Sequence, residues 1–140
     1  ALDHFVPREG FADIARQVLE THGGSIESNP LQHASLVLAA DQYASGAREL
    51  TVAADGLPDS WRDAIGDAYV PGRVLSVRPP TDEQLQDWLD SLDLDDAPPI
   101  WADREQREGE PTVYACQQFT CSPPKHDVET ALTWFQSDGV

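Results

Sequence analysis

"ELTVAADGLPDSWRDAIGDAYVPGRVLSV", residues 49 to 77, is the stretch that decides the fold. Its opening, ELTVAADG, is a short β-type run closed by the turn signal Asp55-Gly56. The next part places Asp59 or Ser60 to cap a helix, and Trp61, Ala64, Ile65 and Ala68 recur on one helical face. GRVLSV is then a second strand, ended by Pro79 and Pro80, which lack the N–H that a ladder needs. Strand, helix and strand within about 30 residues form a βαβ unit, whose two strands run parallel.

Downstream, Thr81 and Gln84 read as a capping box, and Leu85, Trp88, Leu89 and Leu92 fall on one face of the helix it opens. PPIWAD reads as a short strand, REQREGE as a charged loop, and TVYACQQF, residues 112 to 119, as the last strand. A C-terminal helix is predicted from His126 or Asp127, burying Val128, Leu132 and either Phe135 or Trp134.

Upstream, two helices are predicted. In the first, Pro7 sits in the opening turn, Phe11, Ile14, Ala15, Val18 and Leu19 make one buried face, and Gly23-Gly24 is the stop. In the second, Asn29 caps and Pro30 takes the first helical position. Leu31, Ala34, Val37, Leu38, Ala40, Tyr43 and Ala44 then cover so much of its circumference that burial on more than one side is expected. The fold class is therefore α/β. A helical pair (1–46) is followed by an α/β domain (47–140) holding a small, βαβ-containing, mostly parallel sheet with flanking helices.

Charge restricts the function. With 25 acidic and 9 basic residues the chain carries a formal charge of -16, and Lys125 is its only lysine. Phosphate binding depends on clustered Lys and Arg, so nucleic acid and anionic membrane surfaces are disfavoured partners. The acids are spread along the chain rather than gathered in a tail, which points to a solvated surface suited to concentrated salt, where the Debye length falls to about 3 Å at 1 M. Such an Asp-rich, Lys-poor composition resembles that of halophilic archaeal proteins. No leader-like or transmembrane-length apolar run is present, so a soluble cytoplasmic setting is expected. The sequence begins at Ala1 and holds no methionine, so Ala1 reads as a processed terminus or as the start of a fragment, the second being preferred.

The segment PTVYACQQFTCSPP, with the strands at 49–56 and 69–77 upstream of it, resembles the C-terminal end of the thioredoxin-domain-containing family that includes spermatogenesis-associated proteins and their bacterial and archaeal relatives. Tyr114, Cys116, Phe119, Cys121 and Pro124 match that family's closing pattern, and Gln118 stands where the family carries Asn. The resemblance implies a thioredoxin-like domain and an α/α toroid similar to sugar epimerases as partner domains, with residues 7 to 46 as the toroid's last helical pair. It also implies that this segment alone is a structural or interaction module rather than an enzyme, and that it needs no cofactor.

The two cysteines leave three readings open. An extended span of five residues covers about 16 Å, whereas a disulfide needs Cα atoms within about 7 Å, so a bridge between Cys116 and Cys121 requires QQFT to fold back tightly. A regular strand also puts them on opposite faces, and a cytoplasmic protein has no redox reason to rely on a short-loop bridge worth about 2 kcal/mol. Reduced structural thiols are the reading preferred on these grounds. The alternatives are a disulfide or redox pair, and a metal site of Cys116, Cys121 and His126 with a fourth ligand, although C-x4-C-x4-H lacks the usual short zinc clasp.

Asp55, at the carboxyl end of the first strand, is placed where α/β sheets bind ligands, as a magnesium or sugar-hydroxyl ligand or simply as a turn residue. His4, His22 and His33 read as surface or cap residues. Trp61 and Trp88, at helical spacing with aliphatic residues, read as core rather than as sugar platforms.

Overall fold

A computed structural model describes residues 5, 6, 9–118 and 120–137. Pro7, His4 and Phe119, each assigned a role above, lie outside the described residues. The chain divides into two compact units, Ala1–Ala47 and Arg48–Val140.

In the first unit α1 (Phe11–Ser28) and α2 (Ala34–Ser45) are in contact. α1 does not stop at Gly23-Gly24 but runs five residues past Gly23 to Ser28. Glycine inside a helix costs only about 1 kcal/mol each relative to alanine, and Ile26 beyond the pair is half-buried in line with Leu19 and Gly23. Asn29 and Pro30 do not open α2. Asn29 closes α1 by donating its N–H to Ser25, and the carbonyls of Asn29 and Pro30 accept from Gln32 and His33 in a turn before the helix. The two helices hold no fully buried residue, so the faces assigned to burial are at most half-covered by the described residues, as with Leu19, Gly23 and Ile26 of α1.

The second unit is built on a four-stranded sheet of order β2-β1-β3-β4, with β1 (Arg48–Ala53), β2 (Arg73–Arg78), β3 (Thr112–Gln117) and β4 (Thr120–Cys121). β1 and β2 pair in parallel through α3 (Asp59–Asp67), which is the predicted βαβ unit. β3 enters antiparallel on the other side of β1, and β4 folds back antiparallel on β3, so the sheet is mixed and its parallel part is confined to β1 and β2. The α/β class, with a helical pair preceding the sheet in sequence and α3, α4 (Asp82–Ser91) and α5 (Val128–Ser137) alongside its strands in the second unit, is the architecture observed. In place of the strand expected at PPIWAD there is a 3-10 turn, Pro99–Trp101, because consecutive prolines fix φ near the helical value.

Alternation sorts the sheet's two faces. Leu50 and Val52 of β1, Val113 and Ala115 of β3, and Val77 of β2 form the apolar face. α3 and α5 (Val128–Ser137) cover it with Trp61, Ala64, Ile65, Val128, Leu132 and Phe135, while Trp134 packs at the edge of this core. Asp127 caps α5, its Oδ1 accepting from the N–H of Thr130 at 2.7 Å. The opposite face carries Glu49, Thr51, Ser76, Arg78, Thr112, Tyr114 and Cys116, and the 3-10 turn lies against β1. α4 (Asp82–Ser91) is capped by Thr81, whose Oγ1 accepts from the Gln84 N–H, and its Trp88 meets Trp101 edge-on at 5.0 Å.

Candidate functional site

The polar face of the sheet is organised in cross-strand rows. One row runs Val74, Glu49, Cys116, Cys121 across all four strands. The next runs Ser76, Thr51, Tyr114, and in it Thr51 Oγ1 and Ser76 Oγ share a hydrogen bond of 3.0 Å.

Cys116 and Cys121 form a disulfide, which corrects the expectation of reduced thiols. β3 ends at Gln117, and Thr120 pairs back onto Gln117. Gln118, at φ 48°, takes the left-handed conformation that such a reversal uses. The two cysteines therefore stand directly opposite one another on the same face, with Cα atoms 4.1 Å apart. Ser122 N donates to the Ala115 carbonyl in the adjoining pair, which makes the cysteine pair the closely spaced, non-hydrogen-bonded kind. Their exposures differ sharply: Cys116 is 2% exposed, whereas Cys121 on the edge strand is exposed.

Arg104 lies over this row. Its Nη2 donates to Cys121 Sγ at 3.4 Å, its Nη1 is 3.5 Å from Glu49 Oε2, and the same Nη1 donates to the Ile100 carbonyl. The segment bearing Arg104 is fixed to the sheet on its far side. Tyr114 Oη donates to the Glu105 carbonyl at 2.7 Å, Arg107 N donates to Thr112 Oγ1 at 2.8 Å, and Thr112 Oγ1 donates to the Glu110 carbonyl. Of the family-like pattern, Tyr114 thus serves as an anchor for the Arg104 segment, and Cys116 and Cys121 as the bridge.

The structure does not bring His126 to the cysteines. Lys125 pairs with Val113, and the His126 ring nitrogen Nδ1 lies 3.2 Å from the Pro111 carbonyl, at the opposite end of β3 from Cys116. Four residues of strand, about 13 Å, separate those two ends. With both sulfurs bonded to each other, the three-ligand metal set is not assembled, and among the described residues no cluster of three or more His, Cys, Asp or Glu is placed to hold a metal ion.

Asp55 does lie at the carboxyl end of β1, where the turn through Gly56 (φ 92°) opens onto a groove of about 310 Å³. Ala54, Val77, Pro79, Pro80, Gln84 and Trp88 line the rest, so Asp55 is the only charged side chain there among the described residues. A lone carboxylate among prolines suits a turn residue better than a cation ligand, which takes several oxygens.

In the helical unit, α1 presents Phe11, Ile14 and Val18 on one exposed stripe, about a third of a turn around from the half-buried Leu19, Gly23 and Ile26. Arg16 bonds Asp13 and Glu20 on the remaining, charged side. Leu38 of α2 is 70% exposed and Leu31 in the preceding turn 94%. No family model matches the chain, and no curated protein or solved structure does either. No described helix is long and apolar enough to cross a membrane.

Proposed function

We propose that the chain works by contact, as a structural and interaction module whose helical pair packs on a partner domain. One observation carries this reading: α1 and α2 hold no buried residue, yet display Phe11, Ile14, Val18, Leu38 and Tyr43 to solvent, with Leu31 exposed in the turn between them. An 18-residue and a 12-residue helix that bury nothing fully leave much of the burial that normally stabilises helices unrealised. Phe11, Ile14 and Val18 share one side of α1, and an exposed apolar stripe of this kind marks an interaction surface. The partner domains proposed are those the resemblance of the C-terminal segment implies, an α/α toroid and a thioredoxin-like domain, with residues 7 to 46 completing the toroid's helical ring. The charge of -16 supports a protein partner over nucleic acid.

Sedimentation velocity in molar KCl over a range of protein concentrations tests the reading. The isolated chain is expected to self-associate through the unpartnered stripe, and Ile14→Asp with Leu38→Asp to restore a monomer. A wild-type chain that stays strictly monomeric at high concentration would overturn the proposal.

A further inference from the structure

We propose that Cys116 and Cys121 are a thiol–disulfide exchange pair, in which Cys121 is the sulfur that meets the external thiol or disulfide and Cys116 the one that resolves it. The inference is independent of the helical surface, because it stands on the row Glu49, Cys116, Cys121 and on Arg104 above it.

The two sulfurs differ in the way such chemistry requires. Exchange proceeds by in-line attack of a thiolate on an accessible sulfur. Cys121 lies exposed on the two-residue edge strand, while Cys116 is enclosed between β1 and β4, so an external thiol reaches only Cys121. A guanidinium beside a sulfur favours its thiolate over the thiol, and Arg104 Nη2 is 3.4 Å from Cys121 Sγ. Glu49 stands directly opposite Cys116 in the antiparallel ladder, on the same face, where paired Cβ atoms are about 5 Å apart. Its carboxylate is therefore placed to take the proton of the enclosed thiol, and Arg104 at 3.5 Å orients that carboxylate.

In the dithiol form, the Cys121 thiolate attacks a substrate disulfide R–S–S–R′, forming the mixed disulfide Cys121–S–S–R and releasing R′–S⁻. Cys116 then gives its proton to Glu49, and its thiolate attacks Cys121 Sγ. The Cys116–Cys121 bond forms and R–S⁻ leaves. The substrate disulfide is reduced by two electrons and the pair is oxidised by two. An external dithiol reverses the sequence, entering at Cys121 and returning the electrons. Glu49 and Arg104 are positioning residues, since neither forms a bond to the substrate.

The test equilibrates the native chain with reduced and oxidised glutathione, quenches with an alkylating reagent and reads intact mass. The pair is expected to shift between bridged and doubly alkylated forms as the glutathione ratio changes, and Cys116→Ser to trap one glutathione on Cys121. Glu49→Gln is expected to leave alkylation of reduced Cys121 unchanged while the mixed disulfide accumulates. Arg104→Gln is expected to slow alkylation of reduced Cys121 by about tenfold, because the cation that favours its thiolate is gone. A bridge that resists millimolar glutathione in the folded chain and opens only in denaturant would overturn the proposal. So would a mixed disulfide at Cys116 rather than Cys121, or a Glu49→Gln chain that resolves as fast as wild type.

Discussion

Arg78, the last residue of β2, sends Nη2 to Asp82 Oδ1 at 2.6 Å, joining a guanidinium that is 3% exposed to a carboxylate that is 81% exposed. Nε and Nη1 of the same guanidinium find no partner among the described residues. A charge enclosed on the polar face of the sheet is thus tied to solvent through one residue in the first turn of α4. Removing an acceptor from a buried charged donor costs about 1–3 kcal/mol, and the exposure of Asp82 places the value toward the lower end. Asp82→Ala is expected to destabilise the fold by about 1 kcal/mol in urea unfolding. Arg78→Met, which removes the charge together with its need for a partner, is expected to cost less than Arg78 left without Asp82. The opposite ranking would show that the packing of the Arg78 stem matters more than its charge.

The hydroxyls of Thr51 and Ser76 make an unequal pair. Thr51 Oγ1 bonds both Ser76 Oγ and the Ile100 carbonyl, at 3.0 and 3.3 Å, whereas among the described residues the Ser76 hydroxyl bonds Thr51 alone. Thr51→Val fills the same volume but strips the Ser76 hydroxyl of its partner and removes one of the two donors to the Ile100 carbonyl, which keeps Arg104, and is expected to cost about 1–3 kcal/mol. Ser76→Ala leaves Thr51 bonded to Ile100 and is expected to cost under about 1 kcal/mol. Equal losses in chemical denaturation would mean that the Ile100 contact contributes nothing.

These residues show where the sequence is readable. The βαβ unit at 49–77 was legible because the alternation in Leu50 and Val52 and the helical spacing of Trp61, Ala64 and Ile65 are local signals, and each places its residues in the observed core. The capping threonine at 81 and the C-terminal helix after Asp127 are local in the same sense. The reversal after Gln117 was hidden, since no glycine marks it and Gln118 itself supplies the left-handed backbone. The bridge was hidden with it, because strand parity separates Cys116 from Cys121 only while the strand continues. Glu49 and Arg104 lie 55 residues apart, and their meeting over the cysteines depends on β1 and β3 becoming neighbours. Nothing in a single sequence specifies that pairing. Where the helical pair finds its cover is not legible for a related reason: an apolar helix looks the same in sequence whichever chain segment or neighbour packs on it.

The Asp127 carboxylate is held below its ordinary pKa, first by the Thr130 hydroxyl and then by the Thr130 backbone N–H, against a small opposing effect of burial. A carboxylate whose folded pKa is depressed stabilises the fold at every pH above its unfolded value, near 3.8, and that contribution is lost as pH falls through the lower folded value. Asp127→Ala is expected to cost about 1 kcal/mol at neutral pH through loss of the cap. Asp127→Asn, which caps comparably without titrating, is expected to keep most of the neutral-pH stability and to lose less of it than wild type in acid. Unfolding midpoints at pH 7 and below pH 3.8 for the three chains check this, and parallel acid losses for wild type and Asp127→Asn would show that the cap does not depend on the charge.

Salt acts on the chain as a whole. At a formal charge of -16 the folded state confines carboxylates that the unfolded chain spreads apart, and the resulting repulsion is screened over about 10 Å at 0.1 M and about 3 Å at 1 M. Among the described residues, ion pairs such as Arg62 with Asp59 and Arg16 with Glu20 are largely exposed and between near neighbours in sequence, so their loss on screening is small beside the relief of repulsion. The melting temperature is expected to rise between 0.1 and 1 M KCl, and to rise less for a chain in which Asp93, Asp95 and Asp96 are changed to Asn. Those three lie together between α4 and the 3-10 turn and are exposed, so their neutralisation removes like charge without disturbing the core. A melting temperature that is flat with KCl, or equally steep in both chains, would rule out carboxylate repulsion as the source of the dependence.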